Sequence, residues 1–143
     1  MPQFIDIENG FSLRFPYQTT DFQEVSVKIE QSANFHRVHL TSPDHSQIYF
    51  ELHSFSFHRE ESIFIDKAHS FLSSKSSEGK ITNPQKGKFF QHTGTFFDFE
   101  GLFMGKYKIR RFLFIVTKLR TYQIVYDYTS KLNEDVLKSL VLQ

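Results

Sequence analysis

Arg110–Leu140 reads RRFLFIVTKLRTYQIVYDYTSKLNEDVLKSL, and its hydrophobic period changes along its length. In Arg111–Thr117 the residues Arg111, Leu113, Ile115 and Thr117 fall on one face of an extended chain, and Phe112, Phe114 and Val116 fall on the other. Both faces are largely apolar, which predicts a strand covered on both sides and central in a sheet. Lys118-Leu119-Arg120 interrupts with charge, as a hairpin tip does. Tyr122, Ile124, Tyr126 and Tyr128 then alternate with Gln123, Val125 and Asp127, the signature of a second strand. Ser130 and Asn133 both offer a side-chain oxygen to the orphan amides of a helical first turn. Glu134 and Asp135 suit the positive end of a helix dipole and Lys138 the negative end, while Leu132, Val136, Leu137 and Leu140 recur at helical spacing. The stretch predicts strand, turn, strand, then a capped amphipathic helix.

The rest of the chain extends this plan in both directions. Phe4–Glu8 alternates, Asn9-Gly10 supplies a turn, and Phe11, Leu13 and Phe15 alternate again before Pro16 ends the strand. Tyr17–Glu24 is polar and reads as a loop. Val25–Glu30, Phe35–Thr41 and Gln47–Phe57 are three alternating runs, with turn chemistry at Ser42-Pro43-Asp44-His45-Ser46, and predict an antiparallel meander. From Glu60 to about Ser77 the period becomes helical, carried by Phe64, Ala68, Phe71 and Leu72 with Ile63 beside them. Gly79, Asn83-Pro84 and Gly87 predict a mobile loop over Glu78–Lys88. Phe89–Glu100 resumes strand character, and Gly101 and Gly105 bracket a turn. Five strands, a helix, three or four strands and a second helix make an α+β plan. The expectation is one domain over residues 1–143, an antiparallel sheet of about seven to nine strands with two helices packed on it.

Composition narrows the function classes. With 18 Phe, 6 Tyr and no Trp, the core is expected to be aromatic-rich and built on the sheet. The absence of cysteine removes disulfides, thiol catalysis and zinc–thiolate sites. MPQFIDIENG has neither a basic nor an apolar leader region, and no later run approaches membrane-spanning length. A soluble, cytoplasmic chain is therefore expected, although an export segment trimmed from the sequence would escape this reading. Net charge is +1 but uneven: residues 1–70 carry 5 Lys/Arg against 10 Asp/Glu, and residues 71–143 carry 12 against 6. Such asymmetry marks either a face for a polyanion or two halves of a sheet that attract one another.

Two local stretches carry a family resemblance. They are Gly10-Phe11-Ser12-Leu13-Arg14-Phe15-Pro16 and Arg120-Thr121-Tyr122-Gln123-Ile124-Val125-Tyr126-Asp127, the latter followed by Leu132-Asn133-Glu134 and Lys138-Ser139-Leu140. The first resembles the opening strand, and the second the closing strand and helix, of the PsbP/Mog-like fold. That fold includes PsbP proteins of photosynthetic membranes, Mog-type Ran-binding proteins and several bacterial families. The resemblance spans nearly the whole chain and rests on core and capping positions. It implies an α/β/α sandwich and a non-enzymatic accessory or protein-binding role, and it transfers no functional residue.

No motif in the residues themselves specifies chemistry. His36 and His39 leave opposite faces of one strand, as do His53 and His58, so neither pair shares an ion. His39 and His53 meet only if the strand register allows, and a zinc site wants a third ligand. Asp98 with Glu100, and Asp6 with Glu8, share strand faces but read as solvated. No serine sits in a nucleophile elbow and no glycine-rich phosphate loop is present. Neither cofactor nor metal is expected. The feature with most reach is the basic window that includes Lys86, Lys88, Lys106, Lys108, Arg110 and Arg111, interleaved with aromatics, an alternative site for nucleic acid or an anionic surface. Leu102, Phe103 and Met104, flanked by glycines, are either an exposed apolar tip for a partner or a turn folded back on the sheet. A partner protein is expected on a sheet face left uncovered by the helices, or on Glu78–Lys88 and Gly101–Lys106.

Overall fold

The strands on either side of Lys118-Leu119-Arg120 pair with one another and form the centre of the molecule. The structure is a computed structural model that describes residues 3–6, 10–14, 26–32, 35–41, 49–55 and 61–142. The expectations for Pro16, for Tyr17–Glu24 and for the turn at Ser42–Ser46 lie outside these residues. In chain order come β1 (Gln3–Asp6), β2 (Phe11–Arg14), β3 (Ser26–Ser32), β4 (Phe35–Thr41) and β5 (Tyr49–Phe55), then α1 (Glu61–Lys75). There follow β6 (Ser76–Ile81), β7 (Gln85–Phe89), β8 (His92–Phe103), β9 (Lys106–Val116), β10 (Thr121–Tyr126), α2 (Lys131–Ser139) and β11 (Val141–Leu142).

Eight strands form one antiparallel sheet in the order β3-β4-β5-β10-β9-β8-β6, with β7 also paired to β8. The fold is thus α+β, an antiparallel sheet with two helices on it. The predicted meander is β3-β4-β5, and its last strand pairs with β10, setting Gln123 opposite His53 and Val125 opposite Glu51. A second sheet of three strands, β1-β2-β11, pairs the two strands predicted on either side of the Asn9-Gly10 turn, with Gly10 at φ +80° and Asn9 outside the described residues.

The helices lie on opposite faces of the large sheet, so its central strands carry a helix on each side. This corrects the expectation of a face left free for binding. Strand parity gives the reason: Leu113 and Ile115 point one way from β9, and Phe112 and Phe114 the other. On the first face Leu113 and Ile115 join Val136, Leu137 and Leu140 of the α2 end, Leu52 and Ile124, with Phe11 and Leu13 of the small sheet. On the second face Phe114, Phe97 and Phe99 join Phe64, Ile65 and Leu72 of α1. Burial of such side chains contributes about 1.5–3 kcal/mol each, so both layers stabilise the sheet. In α1 the buried isoleucine is Ile65, while Ile63 is exposed, because Ile65 shares the helical stripe of Ala68 and Leu72 at spacings of three and seven.

The predicted loop Glu78–Lys88 is instead mostly strand. β6 and β7 line up along one edge of the twelve-residue β8, Lys80 opposite Glu100 and Lys86 opposite Thr95. Pairing with that edge satisfies backbone groups that the serines after α1 would leave exposed. Gly79 and Gly87, which read as loop signals, are sites of close packing. A Cβ at either would lie 2.8 Å from a ring carbon, of Phe99 and Phe96 respectively. The predicted strand from Phe89 is also broken: Phe90 takes φ 58°, and the chain turns at Phe90-Gln91 before β8 begins.

Candidate functional site

On the α1 face, helix and sheet do not close completely. α1 leans over β9, β8 and β6, and between it and β5 lies a half-open cleft of about 560 Å³, within the roughly 300–1,000 Å³ of small-molecule sites. β5 supplies one wall because its odd-numbered residues all face this side: Tyr49, Glu51, His53 and Phe55. The floor is Gln123 and Val125 of β10 with Lys108, Arg110 and Phe112 of β9. The other wall is α1, through Phe64, Lys67, Ala68 and Phe71. Phe55 and Phe64 close one end, with ring centroids 4.9 Å apart. Phe71 and Phe103 meet at the other, 5.7 Å apart.

The polar groups gather around Tyr49. Its hydroxyl donates to Glu51 Oε1 at 2.5 Å, and Glu51 Oε2 lies 3.0 Å from His53 Nε2. The Arg110 guanidinium stacks on the Tyr49 ring, 3.7 Å from its centroid, and Lys108 Nζ lies 5.8 Å from the same centroid. Burial and then the Glu51 charge push the Tyr49 phenol well above its ordinary range. The hydroxyl is therefore a donor at neutral pH. Burial pulls Arg110 below its usual value. Lys108 is lowered by burial first and then by the like charges of Arg110 and Lys106. Arg110 is 8% exposed and donates to its neighbour's carbonyl, Ile109 O, at 2.8 Å. Among the described residues no carboxylate lies at ion-pair distance from Arg110 or Lys108.

Asn133 holds this end of the cleft in place from the far side of the sheet. It is fully buried, accepts from Tyr49 N at 3.1 Å and donates to Asp127 O at 2.9 Å. Ser130 occupies the N-cap position of α2, without a side-chain capping bond. Asn133, one of the two predicted caps, instead links the start of β5 to the end of β10.

The basic residues of the sequence do not form one patch. Lys108 and Arg110 face the α1 side by strand parity, and Lys106 shares it. Arg111 points to the opposite face, in a two-bond ion pair with Asp98 at 2.7 and 2.9 Å, beneath the rings of Phe96 and Tyr128. Lys86 lies 3.4 Å from Glu61 Oε1 at the start of α1, and Lys88 is exposed on β7. Leu102 and Phe103 belong to β8, Phe103 folding back against Phe71 and Phe99, while Met104 alone is strongly exposed at the turn.

Strand register does not set the two histidines considered above directly opposite one another: His39 lies opposite Glu51 and His53 opposite Arg37, which leaves them diagonal on one sheet face. Among the described residues no three metal-ligating side chains come together. The sequence had flagged Arg110 only as one cation among several. The signal for the cleft was the polar-aromatic alternation Tyr49-Glu51-His53-Phe55 against the apolar Phe50 and Leu52.

No family model and no curated protein matches the chain. Among solved structures it is similar to a Bacteroides thetaiotaomicron VPI-5482 protein whose crystal structure was determined at 1.50 Å. The TM-score is 0.60 and the identity 14% over 99% of this chain. The chain spans 48% of the length of that protein. At this identity the likeness carries the fold alone.

Proposed function

We propose that this chain is a non-enzymatic accessory module, PsbP/Mog-like in plan, that works by binding an amphipathic guest in the cleft between α1 and the β5-β10-β9 part of the sheet. The observation that carries this reading is the cleft itself, phenylalanine-lined along its length and polar around Tyr49. Apolar walls with a few convergent polar groups are what small-molecule sites share. A free sheet face for a partner protein, the arrangement expected from sequence, gives way here to an interior site. The alternative of a nucleic-acid or anionic-surface site has less support, because Arg111 is turned to the other face and neutralised by Asp98, while Arg110 is buried.

The chain has no tryptophan, so Phe71→Trp places a single indole at the cleft mouth. Titrating this variant with decanoate and with decan-1-ol is expected to give a saturable blue shift of its emission with at least one of them. Adding Ala68→Phe, which fills the cleft from α1, is expected to abolish the shift while leaving the melting temperature within a few degrees. No shift with either probe would overturn the reading.

A further inference from the structure

The buried cation in the cleft identifies the kind of guest. Arg110 is 92% buried, as its 8% exposure implies; among the described residues its charge meets the Tyr49 side chain and one backbone carbonyl, and Asp127 and Glu51 act on it without coming to ion-pair distance. Burying a charge without a carboxylate in direct contact is costly. The two described acids that act on Arg110 hold other partners as well: Glu51 has Tyr49 and His53, and Asp127 has the amide and hydroxyl of Thr129. Lys108 adds a second cation, two residues along the same strand face. Lys67 on α1 adds a third at the rim. The Tyr49 end of the cleft therefore presents Arg110 and Lys108 to a guest, beside the Glu51 carboxylate that Tyr49 and His53 engage.

Shape and backbone pairing exclude a peptide. β5, β10 and β9 are interior strands, each hydrogen-bonded on both sides, so an incoming peptide finds no strand edge to pair with. Its amides would be stranded against Phe112, Val125 and Phe64, and each unmatched group would weaken binding. A guest with its polarity confined to one end avoids that cost. From Tyr49 to Phe55 the wall runs seven residues of extended chain, about 20 Å end to end at roughly 3.3 Å per step. That length suits an elongated body.

We infer that the guest is an elongated apolar monocarboxylate of fatty-acid shape, its carboxylate at Arg110 and Lys108 and its body along Phe112 and Val125 toward Phe55 and Phe64. This rests on the reading that the cleft holds a guest. Tyr49 orients the head by fixing the Arg110 plane, and the Glu51 carboxylate disfavours a second acid group on the guest.

Calorimetric titration of the full chain with decanoate and with decan-1-ol at neutral pH tests both levels. Decanoate is expected to bind more tightly, and Arg110→Gln to weaken it about tenfold to a hundredfold, the range of a charge-assisted hydrogen bond, while weakening decan-1-ol far less. Lys108→Gln, at the more exposed cation, is expected to act in the same direction and stands in if Arg110→Gln does not fold. Equal affinity for acid and alcohol, unaffected by either substitution, would overturn the carboxylate assignment and leave the cleft reading standing. No binding of either probe to the native chain would overturn both.

Discussion

Asn133 illustrates how much one side chain settles. Its position one turn into a helix invites a capping role from sequence, because a cap needs only local geometry. Its actual partners, Tyr49 N and Asp127 O, come from 84 and 6 residues away, and the first of these is invisible to any local pattern. Asn133→Ala leaves a buried amide and a carbonyl unmatched, and is expected to cost about 1–3 kcal/mol in denaturant unfolding. It is also expected to weaken guest binding, since Tyr49 carries the Arg110 stack. A loss below ~0.5 kcal/mol would show that water replaces the amide. Tyr122 makes a similar long-range tie, donating to Gly10 O at 3.0 Å from a fully buried site. It read as a plain strand residue.

Among the elements, strands with strict alternation were legible: β4 has the bounds Phe35–Thr41 that its residues predict, and β9–β10 form the predicted hairpin. β6 and β7 were not, because Gly79 and Gly87 carry the same letter whether they free a loop or make room for a ring. Gly94 is a stronger instance on β8. A Cβ there would lie 2.4 Å from the carbonyl oxygen of Phe114, and that oxygen belongs to neighbouring strand β9. Relief requires the two central strands to part. Gly94→Ala is expected to destabilise the fold by about 1–3 kcal/mol, with thermal unfolding as the check; an unchanged melting temperature would mean that the β8–β9 contact is looser than the structure describes. Register, set by pairings between distant segments, was likewise beyond the sequence, and it is what sets His39 diagonal to His53 and not directly opposite it.

For the whole molecule, the α+β plan and an aromatic core were readable because Phe and Tyr sit at strand and helix periods. The cleft was not, because its walls come from β5, β9, β10 and α1, and it exists only where α1 leans away from β5. Charge composition suggested a basic face; the fold divides those residues between two faces and buries Arg110 in one of them. No described helix is long and apolar enough to cross a membrane. The central claim is that the guest lies between α1 and β5-β10-β9, and amide chemical-shift mapping of the isotope-labelled chain with decanoate tests it most directly. The account predicts perturbations concentrated at Glu51, Ala68, Arg110, Phe112 and Val125, with Leu13, Leu113 and Leu137 on the opposite face unmoved. Perturbations confined to that opposite face or to Lys86 and Lys88, or none at saturating decanoate, would contradict it.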